Sequence, residues 1–425
     1  MKSVITCDLE GVINTYNEGA QQLFKYEPEE LIGVKRVSLF SPGEIVLQNV
    51  ETWLQKAREE GEYETETIFV DKYGETFPAK IRITPTYEKG KSEGITGYCG
   101  VTEKLDRPVD VPIHFTTKLI SALVITRMPF VSASLLPVVI GSIFAAFGAY
   151  YGVTAGFDWS VFWLTFLGVM LLHLGSNVMN DYFDVKSGTD QANTKYFQKY
   201  SGGSRAIELG LITLEGTKRL GLTLLTAALV VGIFLTWQIG WGVLWIGLAG
   251  LAIGYFYTAP PVRLVARKGL GELAIMLSYG PLITMGTYYV LTGIYSWEAF
   301  LIGIPSGLMT ANILLINEFP DMEGDAVTGK NHLVVTFGKR KSINLYIGIL
   351  TLAVLSSAFL AFYLDNLLIL VPSVTIAVLG AFIVKHIRQN YNKRELVKSN
   401  VNTINLQVLF STLLALALWL NTYFA

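Results

Sequence analysis

The sequence predicts an all-α, multi-pass membrane domain of nine transmembrane helices preceded by a small α+β domain. Three observations carry this. Of the 425 residues 51% are hydrophobic and only 16% charged, with a net charge of -1, too apolar for an ordinary soluble chain. The average conceals a division. Residues 1–110 are rich in charge ("EYETETIFVDKYGETFPAKIRIT"), whereas long apolar runs dominate from about Lys118. Finally, every lysine and arginine falls on one alternating set of segments, as a chain threaded through a bilayer requires. We expect a head at 1–105, a linker at 106–118 and a membrane domain at 119–425.

In the head, "LEGV" reads as a turn between two strands. Pro28–Gly33 reads as a short helix closed by glycine, with Glu29 and Glu30 in its first turn. "ETIFVDKYGETFPAKIRIT" alternates on both sides of "DKYG", a hairpin signal. The opening "MKSVITCDLEG" has no apolar h-region, so a signal peptide is not expected. Cys7 and Cys99 fit no metal or disulfide framework, and without a basic excess nucleic acid is not an expected partner.

A bilayer core takes roughly 17–25 mostly apolar residues per helix. Nine such runs follow: Met128–Tyr150, Trp159–Met179, Leu220–Trp237, Gly240–Thr258, Leu273–Thr292, Ala299–Ile316, Leu345–Leu364, Leu367–Val384 and Leu406–Thr422. All 33 basic residues lie before span one or in the connections after the even spans; none lies in the odd turns or the C-terminal tail. The positive-inside rule then puts the head and the even connections in the cytoplasm and the C-terminus outside.

Two acidic motifs stand at the ends of even spans. "NDYFD" (Asn180–Asp184) closes span two and "NEFPD" (Asn317–Asp321) closes span six, with Asp190 and Asp325 further on. Four helices separate the motifs, so both return to the cytoplasmic side. Asn180 and Asp184 are four apart, as are Asp321 and Asp325, and each pair shares a face if its helix continues. Hard oxygen ligands in such sets suit magnesium, which commonly bridges carboxylates to substrate phosphates. Lys195, Lys199 and Arg205 follow the first cluster and Lys330 the second, as a diphosphate group would need. One such motif is equally well a helix cap or turn; two matching motifs on one side favour chemistry. Arg205 and Arg263 read either as diphosphate contacts or as topology signals. Glu272 is a helix-start carboxylate or a site residue. His173, seven residues before Asn180, reads first as a satisfied buried histidine, and Arg127 first as an interfacial anchor. Tyr255–Tyr257, Tyr279, Tyr288 and Tyr289 either face an apolar chamber or pack.

Residues 1–105 resemble a PAS sensor domain, through "DLEGVINTYNEGAQQLFKYEPEELIG" and "DKYGETFPAKIRITPTYEKGKSEGITGYCGVTE". The resemblance leaves open a cofactor-free dimer or docking contact and a small-molecule or redox sensor. Without a histidine before His114, a histidine-ligated haem is not expected; Cys7 and Cys99 do not sit in a flavin-adduct motif.

Thr117–Phe424 resembles the UbiA superfamily of intramembrane prenyltransferases, with nine spans and two aspartate-rich motifs in place. Finer features are similar to the 1,4-dihydroxy-2-naphthoate prenyltransferases of menaquinone synthesis: "TRMPFVSASLLPVVIGS", "NDYFDVKSGTD", "GGSRAIELGLIT", "YFYTAPPVRLVARKGLGELAIMLSYGPLITMGTYYV" and "DMEGDAVTGKNHLVVTFG". The resemblance implies magnesium held by Asn180, Asp184, Asp321 and Asp325, with Asp181, Asp190 and Lys330 completing the catalytic set. Lys195, Arg205, Arg263 and Lys330 would contact the diphosphate of a polyprenyl donor. The acceptor would be an aromatic ring, with 1,4-dihydroxy-2-naphthoate giving demethylmenaquinone. Another quinone precursor, a chlorin or a glycerol phosphate ether is the alternative within the family, and a catalytically dead lipid sensor the alternative outside it. One departure is plain: the family usually has a basic residue and then threonine after the "GK" of the second motif, where this chain has Asn331 and His332.

Overall fold

The computed structural model describes residues 2–9, 11–88, 94–111, 115–150, 157–193, 201 and 203–424, apart from the side chains of 44, 48, 51, 147–150 and 422–424. It divides into two units: Met1–Ile125 with Arg205–Leu214, and Thr126–Ser204 with Glu215–Ala425.

The first unit is built on five antiparallel strands, β1 (Ser3–Asp8), β2 (Ile13–Tyr16), β3 (Tyr63–Val70), β4 (Thr76–Thr86) and β5 (Gly97–Lys104), in the order β2-β1-β5-β4-β3. Both expected turns are present. β3 and β4 pair from Tyr63↔Ile83 to Val70↔Thr76 around "DKYG", whose Asp71 carboxylate accepts from the Tyr73 and Glu75 amides. Helices α1 (Glu18–Phe24), α2 (Pro28–Leu31) and α3 (Glu51–Glu60) lie between β2 and β3. Each of the first two starts on a side chain that spares an orphan amide: Asn17 accepts from Ala20, and Glu27 and Glu30 form a reciprocal box. Phe24 is fully buried among Phe40, Phe69 and Phe77, a burial that contributes about 1.5–3 kcal/mol. A further helix, α4 (Phe115–Ile125), straddles the boundary expected at 118. The segment Arg205–Leu214 closes on itself as a turn, with Leu209 N donating to Arg205 O at 2.8 Å and Leu211 N to Ala206 O at 2.9 Å.

The second unit is a helix bundle: α5 (Ser132–Tyr150), α6 (Trp159–Lys186), the short α7 (Thr189–Ala192), α8 (Leu214–Ile239), α9 (Trp241–Phe256), α10 (Leu270–Leu277), α11 (Ile283–Thr292), α12 (Trp297–Val327), the short α13 (Leu333–Phe337), α14 (Lys339–Tyr363), α15 (Leu370–Asn390) and α16 (Val397–Phe424). Among the described residues eight spans are long and apolar enough to cross a bilayer, with α10 and α11 joined into one through a π turn at Pro281. The ninth expected span is the shorter apolar helix α9.

Polarity is distributed as lipid demands. Val230, Phe234, Leu355, Phe359, Val374 and Phe382 are exposed, while Ser306, Asn312, Ser357, Ser373, Thr403 and Ser411 are buried. The buried groups bond between helices: Tyr346 Oη to Thr403 Oγ1 at 2.8 Å, Ser373 Oγ to Ser357 Oγ at 2.8 Å. Spans five and six cross at glycine. A Cβ on Gly280 would meet Gly303 O at 2.3 Å and Gly307 N at 2.6 Å, so the two backbones touch.

Two helices outrun the hydrocarbon. The sequence reading ends spans two and six at Met179 and Ile316, but the helices continue to Lys186 and Val327. At 28 and 31 residues they are about 42 and 46 Å long by helical rise, against a hydrocarbon core of about 30 Å. Both acidic motifs are therefore helical and stand on the projecting ends.

Candidate active site

The second motif is shaped by its proline. Pro320 has no N–H for the carbonyl of Ile316 one turn back, and that carbonyl accepts instead from Asn400 Nδ2 at 3.2 Å. The same amide donates to Asn317 Oδ1 at 2.8 Å. Asn317 is thereby spent on α16, whereas its counterpart Asn180 is not: Asn180 Oδ1 is buried without a hydrogen-bond partner. Asn400 was not anticipated from sequence, where it stands among other polar residues in "KSNVNT".

The two motifs meet at Lys330. Its ammonium lies 2.9 Å from both carboxylate oxygens of Asp184 and 3.8 Å from Asp325 Oδ1. Burial alone would lower the Lys330 pKa, but Asp184 and Asp325 outweigh it and hold the ammonium above the ordinary lysine range. As expected for continuing helices, Asn180 and Asp184 lie on one face, as do Asp321 and Asp325. The segment after α6 folds back onto α12: Asn193 Nδ2 donates to Asp321 Oδ1 at 2.7 Å, and Thr189 and Thr328 hydroxyls are 3.1 Å apart. Gly324 permits this, since a Cβ there would be 2.7 Å from Asn193 Cα.

Asp181 and Asp190 form a neighbouring group. Asp181 pairs with Arg127 and accepts from the Ser204 amide at 3.3 Å. Gly203 has a left-handed φ of 82°, and a Cβ on it would lie 3.0 Å from Arg127 Nη2 and 3.6 Å from Asp190 Oδ1. Arg127 is thus tied to the acidic end of α6. Glu272 accepts from the Leu333 amide at 2.7 Å and so holds the chain after the second motif. His332, barely exposed, has Nε2 3.1 Å from Asp325 Oδ2 and Nδ1 3.1 Å from Glu318 Oε2. Burial pulls the imidazole pKa down, but Glu318 and Asp325 prevail and it is pushed up to about 10.

Other expected residues lie elsewhere. Lys195 and Lys199 fall outside the described residues. Arg205 belongs to the first unit, where it pairs with Glu208 at 3.3 Å. Arg263, at φ 45° after α9, makes no ion pair with the acidic groups among the described residues. His173 Nδ1 meets Ser134 Oγ at 3.1 Å and its ring meets Tyr279 edge-on at 5.5 Å, but Nε2 is buried without a partner. Tyr288 and Tyr289 pack on Phe144 and Tyr295, towards the end of the bundle opposite the acids.

A donor set of one orphaned amide oxygen and several carboxylates fits a hard divalent cation. Among the described residues no three histidine, cysteine, aspartate or glutamate side chains converge on one metal-sized point; Lys330 stands between the motifs.

Comparison with known proteins agrees with this architecture. A PAS domain family model matches residues 2–101, and the UbiA prenyltransferase family model matches residues 141–409. The chain is 27% identical to the 1,4-dihydroxy-2-naphthoate octaprenyltransferase of Bacillus subtilis, over 52% of this chain and 67% of that one. It is 30% identical to the enzyme of the same name from Haemophilus influenzae, over 53% and 73%. A solved UbiA homolog from Archaeoglobus fulgidus, bound to GPP and Mg2+, shares the fold at a TM-score of 0.50 and 16% identity, covering 69% of this chain and 99% of that one. A membrane-embedded prenyltransferase architecture carrying both acidic motifs thus follows a PAS domain in one integral membrane protein, and the chain belongs to the UbiA prenyltransferase family.

Proposed function

We propose that the chain transfers a polyprenyl group from its diphosphate to 1,4-dihydroxy-2-naphthoate, giving demethylmenaquinone, with magnesium held by Asn180, Asp184, Asp321 and Asp325. The observation that carries this reading is the meeting of the two acidic motifs at Lys330, within reach of Asp184 and Asp325. Curated relatives named for the same acceptor support it. Bound magnesium would neutralise charge growing on the departing diphosphate, favouring ionisation of the allylic carbon–oxygen bond. Lys330 adds a fixed positive charge beside that group. Arg127, through Asp181 and the Gly203–Ser204 backbone, holds the segment carrying the first cluster in place. The allylic carbon then bonds to the electron-rich ring, and loss of carbon dioxide and a proton restores aromaticity. Lys195 and Arg263 serve as outer contacts for the diphosphate, and Asp190 supports the first motif.

We further place residues 1–105 and the acidic helix ends on the cytoplasmic side, where the basic residues are. All seven tryptophans beyond the head lie near the opposite ends of their helices, as in an interfacial belt. Isolated membranes given labelled polyprenyl diphosphate and a panel of acceptors, with products read by mass, test the reaction. Naphthoate should be prenylated only with divalent metal, and Asp184→Ala or Asp321→Ala should abolish turnover. Full activity in EDTA, or in both variants, would sink the metal assignment; prenylation of another acceptor alone would sink the naphthoate.

A further inference from the structure

We propose that His332 positions the Asp325 carboxylate for cation binding, a role that rests on reading Asp325 as a metal ligand. His332 is 1% exposed and stands at the corner between α12 and α13. Its Nε2 is 3.1 Å from Asp325 Oδ2. Its Nδ1 is 3.1 Å from Glu318 Oε2, out of line for a hydrogen bond, and 3.4 Å from the Val335 amide nitrogen.

The hydrogen count fixes the bond that matters. If Nδ1 accepts from Val335, the ring is neutral and its hydrogen sits on Nε2. If the ring is charged, both nitrogens carry hydrogen. In either state Nε2–H donates to Asp325; the remaining tautomer would set a lone pair against the carboxylate. Oδ2 is therefore held by the imidazole, while Oδ1 lies 3.8 Å from Lys330 Nζ, the ammonium that also pairs with Asp184.

The corner itself is held. Glu318 and Asp325 are seven residues apart, about two turns on one face of α12, and Pro320 between them removes a helical hydrogen bond. The imidazole spans that weakened stretch. Glu272 fixes the next residue through the Leu333 amide at 2.7 Å. A threonine at 332 would have one hydroxyl for a cap and could not touch both carboxylates. His332 thus caps α13 through Nδ1 and reaches Asp325 through Nε2. Groups that hydrogen-bond a metal-ligating carboxylate typically alter metal affinity 10- to 100-fold when removed.

The test uses purified full-length protein and Mn2+ as probe, with binding read by electron paramagnetic resonance without substrate and the metal dependence of transfer measured alongside. Wild type should bind Mn2+; failure to do so overturns the metal reading and this inference together. His332→Ala should bind Mn2+ about 10–100 times more weakly, with most of kcat restored at saturating metal. His332→Thr keeps a cap but no donor to Asp325 and should match His332→Ala. His332→Gln, whose amide nitrogen reaches close to the Nε2 position, should recover most of the affinity. Unchanged affinity in His332→Ala or His332→Thr, or a glutamine variant no better than threonine, overturns the role. Should the alanine variant not fold, the threonine–glutamine comparison decides.

Discussion

Gly324→Ala is the sharpest perturbation of the join between the two motifs. A Cβ at 324 would lie 2.7 Å from both Asn193 Cα and Cβ and 2.9 Å from Asn193 N. Two of those atoms are backbone, so no rotamer relieves the overlap and the segment Thr189–Asn193 must move. Overpacking of this kind costs about 1–3 kcal/mol. The displaced amide also loses its 2.7 Å bond to Asp321, a hydrogen bond to a charged acceptor worth about 1.5–3 kcal/mol. Asp321 is half-buried and water replaces part of that loss, so the lower figure applies. Together the terms give roughly 3 kcal/mol. Asn193→Ala bears only the second, about 1.5 kcal/mol or tenfold in rate if it is spent on the transition state. Melting temperature and initial rate of prenyl transfer, measured on both variants, should rank wild type above Asn193→Ala above Gly324→Ala. A glycine variant as active and stable as Asn193→Ala, or better, would refute the docking of this segment on α12.

Lys330→Met removes the ammonium that Asp184 and Asp325 share and breaks its ion pair with Asp184; melting in EDTA should show a loss of about 3–5 kcal/mol, typical of a broken buried pair, and an unchanged melting temperature would remove Lys330 from the join. In the head, burial pushes the Cys7 thiol up to about 11, so at pH 8 roughly a thousandth is the reactive thiolate. Iodoacetamide mapping by mass should label the more accessible Cys99 first, and Cys7 labelling at the rate of a free thiol would contradict the buried strand.

Much of this was legible because it rests on local pattern. Alternation and a turn signal give the β3–β4 hairpin, runs of apolar residues give the spans, and the spacing of Asn180, Asp184, Asp321 and Asp325 gives one face per helix. What escaped depends on closure over long separations. Arg127 read first as an interfacial anchor because nothing near it in sequence is acidic; Asp181 reaches it only once α6 lies against the turn before α5. Asn193 gave no signal, since its partner is 128 residues away. Asn400 does not stand out among its polar neighbours in "KSNVNT", and its task follows from Pro320, whose orphaned carbonyl on Ile316 requires a donor from another helix. The helix ends were placed too early for a related reason. Hydropathy falls where a chain leaves hydrocarbon, whereas the backbone stays helical while side chains such as Asp184 and Lys330 satisfy one another beyond it. The site therefore sits where the hydropathy signal stops and the helix does not. In that interval a carboxylate can be buried against a partner without paying the cost of lipid, which is why both motifs lie on the projecting ends.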